Sequence, residues 1–285
     1  MKKVVGLVVG LLPISAFAEC VPVPDCASIG YTETSCEGDS LKCPFDASKL
    51  RCFPCDSLFR YSCSGENITG GVGNTCNGKY SSCSCSSSDY VFINGKCVCD
   101  TRCNVGAIYY SDGTCNRCLI EGKTPVGVVV KDNEIIAANN VTELTWGGSG
   151  TDIAELANFT TQNEADNDYN GFYNTSNILN ILGNTNISDF AAIYCYNYAP
   201  TELEGTKGEW YLPAAGEIYN YIYKNYSLLK NIFVNKLSWT TFAHCLWSSS
   251  EGSSTAAWVA DTYSTYRGHR QKSGSNEVIC FMAIN

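Results

Sequence analysis

Several groups of residues in this chain have types and spacings suited to chemistry. The densest runs Tyr263-Ser264-Thr265-Tyr266-Arg267-Gly268-His269-Arg270 and mixes aromatic rings, guanidinium groups and an imidazole in a polar stretch. Aromatic faces stack on sugar rings and a guanidinium donates in a planar fork, so the pattern suits ligand recognition. Its competing reading is a solvated strand edge. Upstream, Trp247-Ser248-Ser249-Ser250-Glu251 leads to a Gly252-Ser253-Ser254 turn and offers Glu251 as a further contact. Trp247 and Trp258 read as core. The candidate ligand-binding residues are therefore Tyr263, Tyr266, Arg267, His269, Arg270 and Glu251.

A second group is Asp166-Asn167-Asp168-Tyr169-Asn170-Gly171, which matches the first half of an EF-hand-type loop. Asp166, Asp168 and Asn170 place oxygens at alternate positions before a glycine turn, so they are candidates for a structural Ca²⁺. Asn177 stands where such a loop needs a bidentate Glu, and a plain turn into a helix is the alternative. No other cofactor is expected. Glu217 falls early in an expected helix, where the dipole favours a carboxylate, and reads as a buried cap before an acid or ligand contact. His244 and His269 are the chain's two histidines, and no Ser-His-Asp, H-E-x-x-H, P-loop or G-x-G-x-x-G pattern includes either. No catalytic residue is therefore nominated.

These residues sit in a chain of 285 residues with 45% hydrophobic and 16% charged content, which excludes a disordered protein. A formal net charge of −9 argues against nucleic acid as a partner, because an acidic surface repels phosphate. Met1-Lys2-Lys3, an apolar run from Val4 to Ile14 and Ala16-Phe17-Ala18 form a bacterial-type signal peptide, with the mature chain expected from Glu19. No later apolar run is long enough for a transmembrane helix. The expected location is secreted, extracellular or cell-surface, with the periplasm as an alternative.

Cysteine density divides the chain. Of 18 Cys, 15 lie between Cys20 and Cys118 and three follow, at Cys195, Cys245 and Cys280. The expected organisation is 1–18 signal peptide, 19–103 disulfide region and 104–285 a larger domain. Region 19–103 is poor in aliphatic residues and reads as small hairpins held by disulfides. Tyr90 to Lys96 around Asn94-Gly95 is one such hairpin. Cys52-x-x-Cys55 and Cys115-x-x-Cys118 also have zinc or redox spacing, but export and the lack of a βαβ context favour disulfides. Because 15 and three are both odd, full pairing needs a bridge between the regions; otherwise each keeps a thiol.

In the larger region, Val126–Val130 and Glu134–Ala138 flank a Lys131-Asp132-Asn133 turn and predict a hairpin, with Val141–Trp146 as a third strand. Asn177–Leu182 and Asp189–Tyr198 predict helices, and Pro213 is placed at the first position of another that runs from Ala214 to about Lys224. Leu246–Ser249, Ala256–Asp261, Tyr266–Gln271 and Val278–Ile284 predict strands, the last a central one because it is apolar on both faces. Strands, then helices, then strands is an α+β order.

Gly208-Glu209-Trp210-Tyr211-Leu212-Pro213-Ala214-Ala215-Gly216-Glu217-Ile218 resembles the W-x-L-P-x-x-x-E-L signature of bacterial Lcl C-terminal (DUF1566) domains. Ala191-Ala192-Ile193-Tyr194-Cys195, Leu246-Trp247-Ser248-Ser249-Ser250-Glu251 and Val278-Ile279-Cys280-Phe281 follow that family's order across residues 121–285. The resemblance implies a C-type-lectin-like fold: a mixed antiparallel sheet with two helices, which joins both ends of the domain. It also implies a glycan or a surface protein as partner. The E-P-N, Q-P-D and W-N-D tripeptides of calcium-dependent lectins do not occur. The expected function is binding or adhesion, not catalysis. The alternatives are an enzyme of the formylglycine-generating type that uses Cys245 and Cys280, and a purely structural envelope protein.

Overall fold

The structure is a computed structural model that describes residues 60–62, 66–70, 72–74, 84–93, 96–183, 189–203, 205–240, 245–262, 264 and 266–284. The expected signal peptide, Cys52, Cys55, the Asn94-Gly95 turn, His244 and Tyr263 lie outside the described residues. The chain divides into two compact units, Met1–Asp100 and Thr101–Asn285.

The first unit contains short strands β1 (Arg60–Ser62), β2 (Ile68–Gly70), β3 (Val72–Asn74), β4 (Ser84–Cys85), β5 (Tyr90–Ile93) and β6 (Lys96–Cys99). They form three separate antiparallel pairs, β1 with β3, β2 with β4, and β5 with β6. Cys85 bonds Cys97 and so ties β4 to β6. Pairs this short are marginal alone in water, which is why a covalent staple accompanies them.

The second unit opens with β7 (Ile108–Tyr110), β8 (Cys115–Asn116), β9 (Pro125–Lys131) and β10 (Ile135–Ala138). The β9–β10 turn puts Asn133 at φ 55°, a left-handed conformation that Asn tolerates. The chain continues through β11 (Thr142–Thr145) and helices α1 (Gln162–Ala165), α2 (Gly171–Leu182) and α3 (Ala191–Asn197) to β12 (Trp210–Tyr211). A helical run, 215–236, then leads to β13 (Cys245–Ser253), β14 (Ala256–Asp261), β15 (Arg267–Gln271), β16 (Ser275–Val278) and β17 (Phe281–Ala283). The unit is α+β, but it holds two sheets where one was expected. One is six-stranded, in the order β12-β17-β10-β9-β7-β8; the other is five-stranded, in the order β11-β16-β13-β14-β15.

Side-chain alternation explains the layers. Along β9 and β10, Val129, Ile136 and Ala138 enter one core with Ile178 and Leu182 of α2 and Ala191, Ala192 and Cys195 of α3. Val128, Val130, Ile135 and Ala137 enter a second core with Ile218, Ile222, Ile232 and Phe233 of the run 215–236. The six-stranded sheet is therefore covered on both faces, so its central strands are apolar on both.

Three expectations about the elements change. Val278–Ile284 is not one strand. It leaves the five-stranded sheet at Val278 and joins the six-stranded one at Phe281, between β12 and β10. Burial on both faces is common to both ends, so hydropathy does not reveal the change of sheet. Pro213 is not the first helical residue, because Ala214 is the cap and the helix begins at Ala215. The run 215–236 is also longer and more irregular than expected, with π-wound turns at Ile218–Ile222 and Asn231–Lys236. The Asn220 and Asn225 amides donate to the carbonyls four residues back, Gly216 and Tyr221, alongside the backbone ladder.

Cys103 bonds Cys115 and Cys195 bonds Cys280, while Cys99 and Cys118 are also in disulfides. Cys245 is a buried free thiol. Among the described residues no helix is long and apolar enough to cross a membrane.

Candidate functional site

Residues 210–217 lie at the junction of α2, the six-stranded sheet and β13. Trp210 is fully buried, stands edge-on to Tyr198 and donates its indole N–H to Thr206 at 3.1 Å. The Leu212 N–H donates to Thr175 Oγ1 of α2, and that hydroxyl donates back to the Leu212 carbonyl. The Pro213 carbonyl accepts from the Ser249 N–H at 2.8 Å, and the Ala215 N–H donates to Ser250 Oγ at 2.9 Å. Ser250 in turn donates to Asp168 Oδ2 at 2.6 Å. Asp168, 3% exposed, also accepts from Asn174 Nδ2 and the Asn170 N–H. Trp210, Leu212 and the serines of β13 thus tie the elements together.

Glu217 closes this junction. One oxygen accepts from the Ala214 N–H at 2.8 Å and the other from the Tyr211 hydroxyl at 3.1 Å. Burial pushes its carboxyl up to about 7; Ala214, Tyr211 and Lys131 oppose the rise and Asp168 adds to it. Burial and the Glu217 carboxyl push the Tyr211 phenol up as well. The cap reading describes Glu217, but the same side chain also reaches a cavity.

That cavity is a groove of about 480 Å³, lined by Glu134, Tyr169, Phe172, Tyr173, Tyr211 and Glu217 with the backbone turn at Asn170 and the end of β17. Its wall is the start of α2, where aromatic side chains face outward and polar ones inward, while Ile178 and Leu182 farther along enter the core. Asn174, Thr175 and Asn177 are buried, while Phe172 is 55% and Tyr173 57% exposed. Asn174 and Thr175 face inward because the junction supplies their partners, whereas the buried Asn177 Nδ2 finds none among the described residues. The aromatics are left to solvent, where a large apolar surface needs a reason. Phe172 meets Tyr211 edge-on with centroids 5.9 Å apart, and Tyr169, 44% exposed, packs near Tyr221. Stacking faces beside carboxylate acceptors can hold a ring-shaped polar ligand.

The sequence-nominated residues are placed differently. Glu251 is fully buried and ion-paired with an equally buried Lys272, and it also accepts from the Ile153 N–H at 3.1 Å. It does not reach the surface. Burial drives the Glu251 carboxyl up and the Lys272 ammonium down, and their pairing opposes both shifts. Arg267 is held in place: it is ion-paired with Asp166 at 2.7 Å and stacked 3.7 Å from the Tyr219 ring. The Gln162 amide, with its oxygen turned toward Arg267, accepts from Nε at 3.1 Å. His269 stands edge-on against Trp258 at 4.3 Å, with Nε2 3.1 Å from the Phe159 carbonyl. Tyr266 and Arg270 remain exposed on edge strand β15 and its approach, Tyr266 donating to the His269 carbonyl. Trp247 and Trp258 are core, donating to the Leu144 and Phe159 carbonyls.

In the calcium-like loop, Asp166 meets a guanidinium and Asp168 is taken by side-chain and backbone donors, while Asn170 lies at the groove. Among the described residues no group of three or more His, Cys, Asp or Glu is placed to hold a metal ion. Cys245 and Cys280 do not form a pair, since Cys280 is bonded to Cys195. Burial pushes the Cys245 thiol up, with Arg270 opposing, which disfavours the reactive thiolate.

The aromatic groove was missed in the sequence. The available signal was Phe172-Tyr173 directly after Asn170-Gly171, in a helix whose other face carries Asn174, Thr175 and Asn177.

No family model matches the chain. No curated protein matches it either. A solved structure that it resembles is the crystal structure of a fimbrial protein from Bacteroides ovatus ATCC 8483, at 14% sequence identity and a TM-score of 0.40. The likeness covers 63% of this chain and 48% of that one, so this chain spans about half the length of the protein it matches. At that score the overlap is too loose to define a shared fold.

Proposed function

We propose that the chain is an exported or cell-surface binding protein, and that the aromatic groove of residues 101–285 holds a glycan. The observation that carries this is the start of α2, which exposes Phe172 and Tyr173 beside Tyr169 and the groove. Export is supported by the disulfides and by the signal-type residues 1–18. The finer assignment, a C-type-lectin-like domain of the Lcl C-terminal type, is part of the proposal. Its support is that the quoted signature residues meet in one hydrogen-bonded junction. The role is binding and not catalysis. The thiol pair that a formylglycine-generating type of enzyme would need is broken by the Cys195–Cys280 bridge.

The test is a glycan array probed with wild-type chain 19–285, with Phe172→Ala/Tyr173→Ala and with Tyr266→Ala/Arg270→Ala. The expected result is binding to a related set of sugars that the first variant loses and the second keeps. Loss in the second variant alone would return the site to β15. Correctly oxidised protein that binds no sugar would remove the glycan reading.

A further inference from the structure

We infer that the groove prefers a glycan with a free amino group, its ammonium seated among the aromatic rings and carboxylates, over a neutral or acidic one. This rests on the groove reading above and names its ligand class. Two carboxylates, Glu134 and Glu217, line the groove among aromatic side chains, and no Lys or Arg is among the described residues that line it.

Charge complementarity argues the choice. An aromatic face carries negative potential and attracts a cation within about 6 Å of its centre. Tyr169, Phe172, Tyr173 and Tyr211 supply such faces around one opening. Glu217 beside them adds to that field, Glu134 being balanced by Lys131, and an acidic sugar would find no unpaired cation among the lining residues. Lys131, which also acts on Glu217, is occupied: it is ion-paired with Glu134 and lies 5.6 Å from the Tyr221 ring centre. The Glu217 carboxyl spends its hydrogen bonds on Ala214 and Tyr211, yet burial and Asp168 leave its ionised form short of positive charge. An ammonium in the groove supplies that charge. A hydroxyl does not. The groove volume of about 480 Å³ lies within the range of small-molecule sites, about 300–1,000 Å³.

The experiment is calorimetric titration of the oxidised chain 19–285 with four tetrasaccharides: glucosamine, N-acetylglucosamine, glucose and galacturonate oligomers. The expected result is that the glucosamine oligomer binds roughly tenfold tighter than its N-acetylated form. Its affinity should fall with added salt while that of the neutral oligomers holds, and Glu217→Gln should move the amine-to-acetyl ratio toward one. If Glu217→Gln fails to fold, the exposed Glu134→Gln should lower the same ratio. Equal or tighter binding of a neutral or acidic oligomer, lost in Phe172→Ala/Tyr173→Ala, overturns this inference and leaves the groove reading standing. An amine preference that neither carboxyl variant reduces also overturns it. Binding of none of the four overturns this inference, and the array result alone decides the groove reading.

Discussion

Glu217 does two jobs with one carboxyl, capping a helix and facing a groove, and its proton links them. Its pKa rises from the ordinary 4.5 to about 7 in the fold. Between these values the folded chain holds a proton that the unfolded chain releases. The group's contribution to stability is therefore complete below about 4.5 and is lost as pH rises through about 7, a loss of about 3 kcal/mol at most. Glu217→Gln keeps an uncharged acceptor, so its stability should lack this fall. Urea unfolding of both proteins at several pH values from 4.5 to 8 checks it; parallel curves would contradict the assignment. The buried pair Glu251–Lys272 behaves differently, since each charge needs the other. Lys272→Met strands a carboxylate, and a loss of roughly 3–5 kcal/mol is expected in denaturant unfolding. A double change, Glu251→Leu with Lys272→Met, should recover most of it. At this scale the sequence was read unevenly. Glu217 as a cap was legible because its spacing from the helix start is local. Glu251 was not, because Lys272 and Ile153 meet it only after three strands and a loop fold together.

Among the elements, α2 carries most of the local argument. Gly171 starts it under Glu217 and Tyr211, and a Cβ there would sit against the Glu217 carboxylate, 2.7 Å from the Tyr211 ring and 2.8 Å from the Ala214 nitrogen. Ala is the better helix former, yet Gly171→Ala should destabilise by roughly 1–3 kcal/mol through this overpacking. Thermal unfolding measures it, and an unchanged midpoint would mean that the groove floor yields easily. The β9–β10 hairpin was legible because β-branched residues alternate between two cores around an Asn turn. The sheet change at Val278–Phe281 was not, because burial on two faces looks the same whether one strand or two supply it. The groove was least legible: its walls come from residues 134–135, 169–170, 172–173, 211, 217 and 283–284, with no common spacing.

At the scale of the whole molecule, cysteine pairing sets a constraint that neither unit reveals alone. The chain has 18 Cys and Cys245 is unpaired, so 17 remain and at least one more lacks a partner within the chain. Denatured, unreduced protein should show at least two alkylatable thiols by intact mass, or one per chain in a covalent dimer. A monomer with no alkylatable thiol would mean that Cys245 is itself bonded. Cys195–Cys280 should matter most to stability, because the two residues are 85 apart and closing so long a loop limits the unfolded chain by about 4–5 kcal/mol. Cys195→Ala/Cys280→Ala should lose a large part of that in denaturant unfolding. The bridge also joins α3 to the point where the chain passes from one sheet to the other, and this has a mechanical consequence. Tension applied along the backbone from either side enters at one sulfur and leaves at the other, so the enclosed segment is never stretched. Pulled in an optical trap, the oxidised protein should release about 300 Å less chain than Cys195→Ala/Cys280→Ala, at ~3.5 Å for each of the 85 residues spared. β12, the helical run and β13–β16 are thus shielded from shear, whatever unfolds outside the bridge.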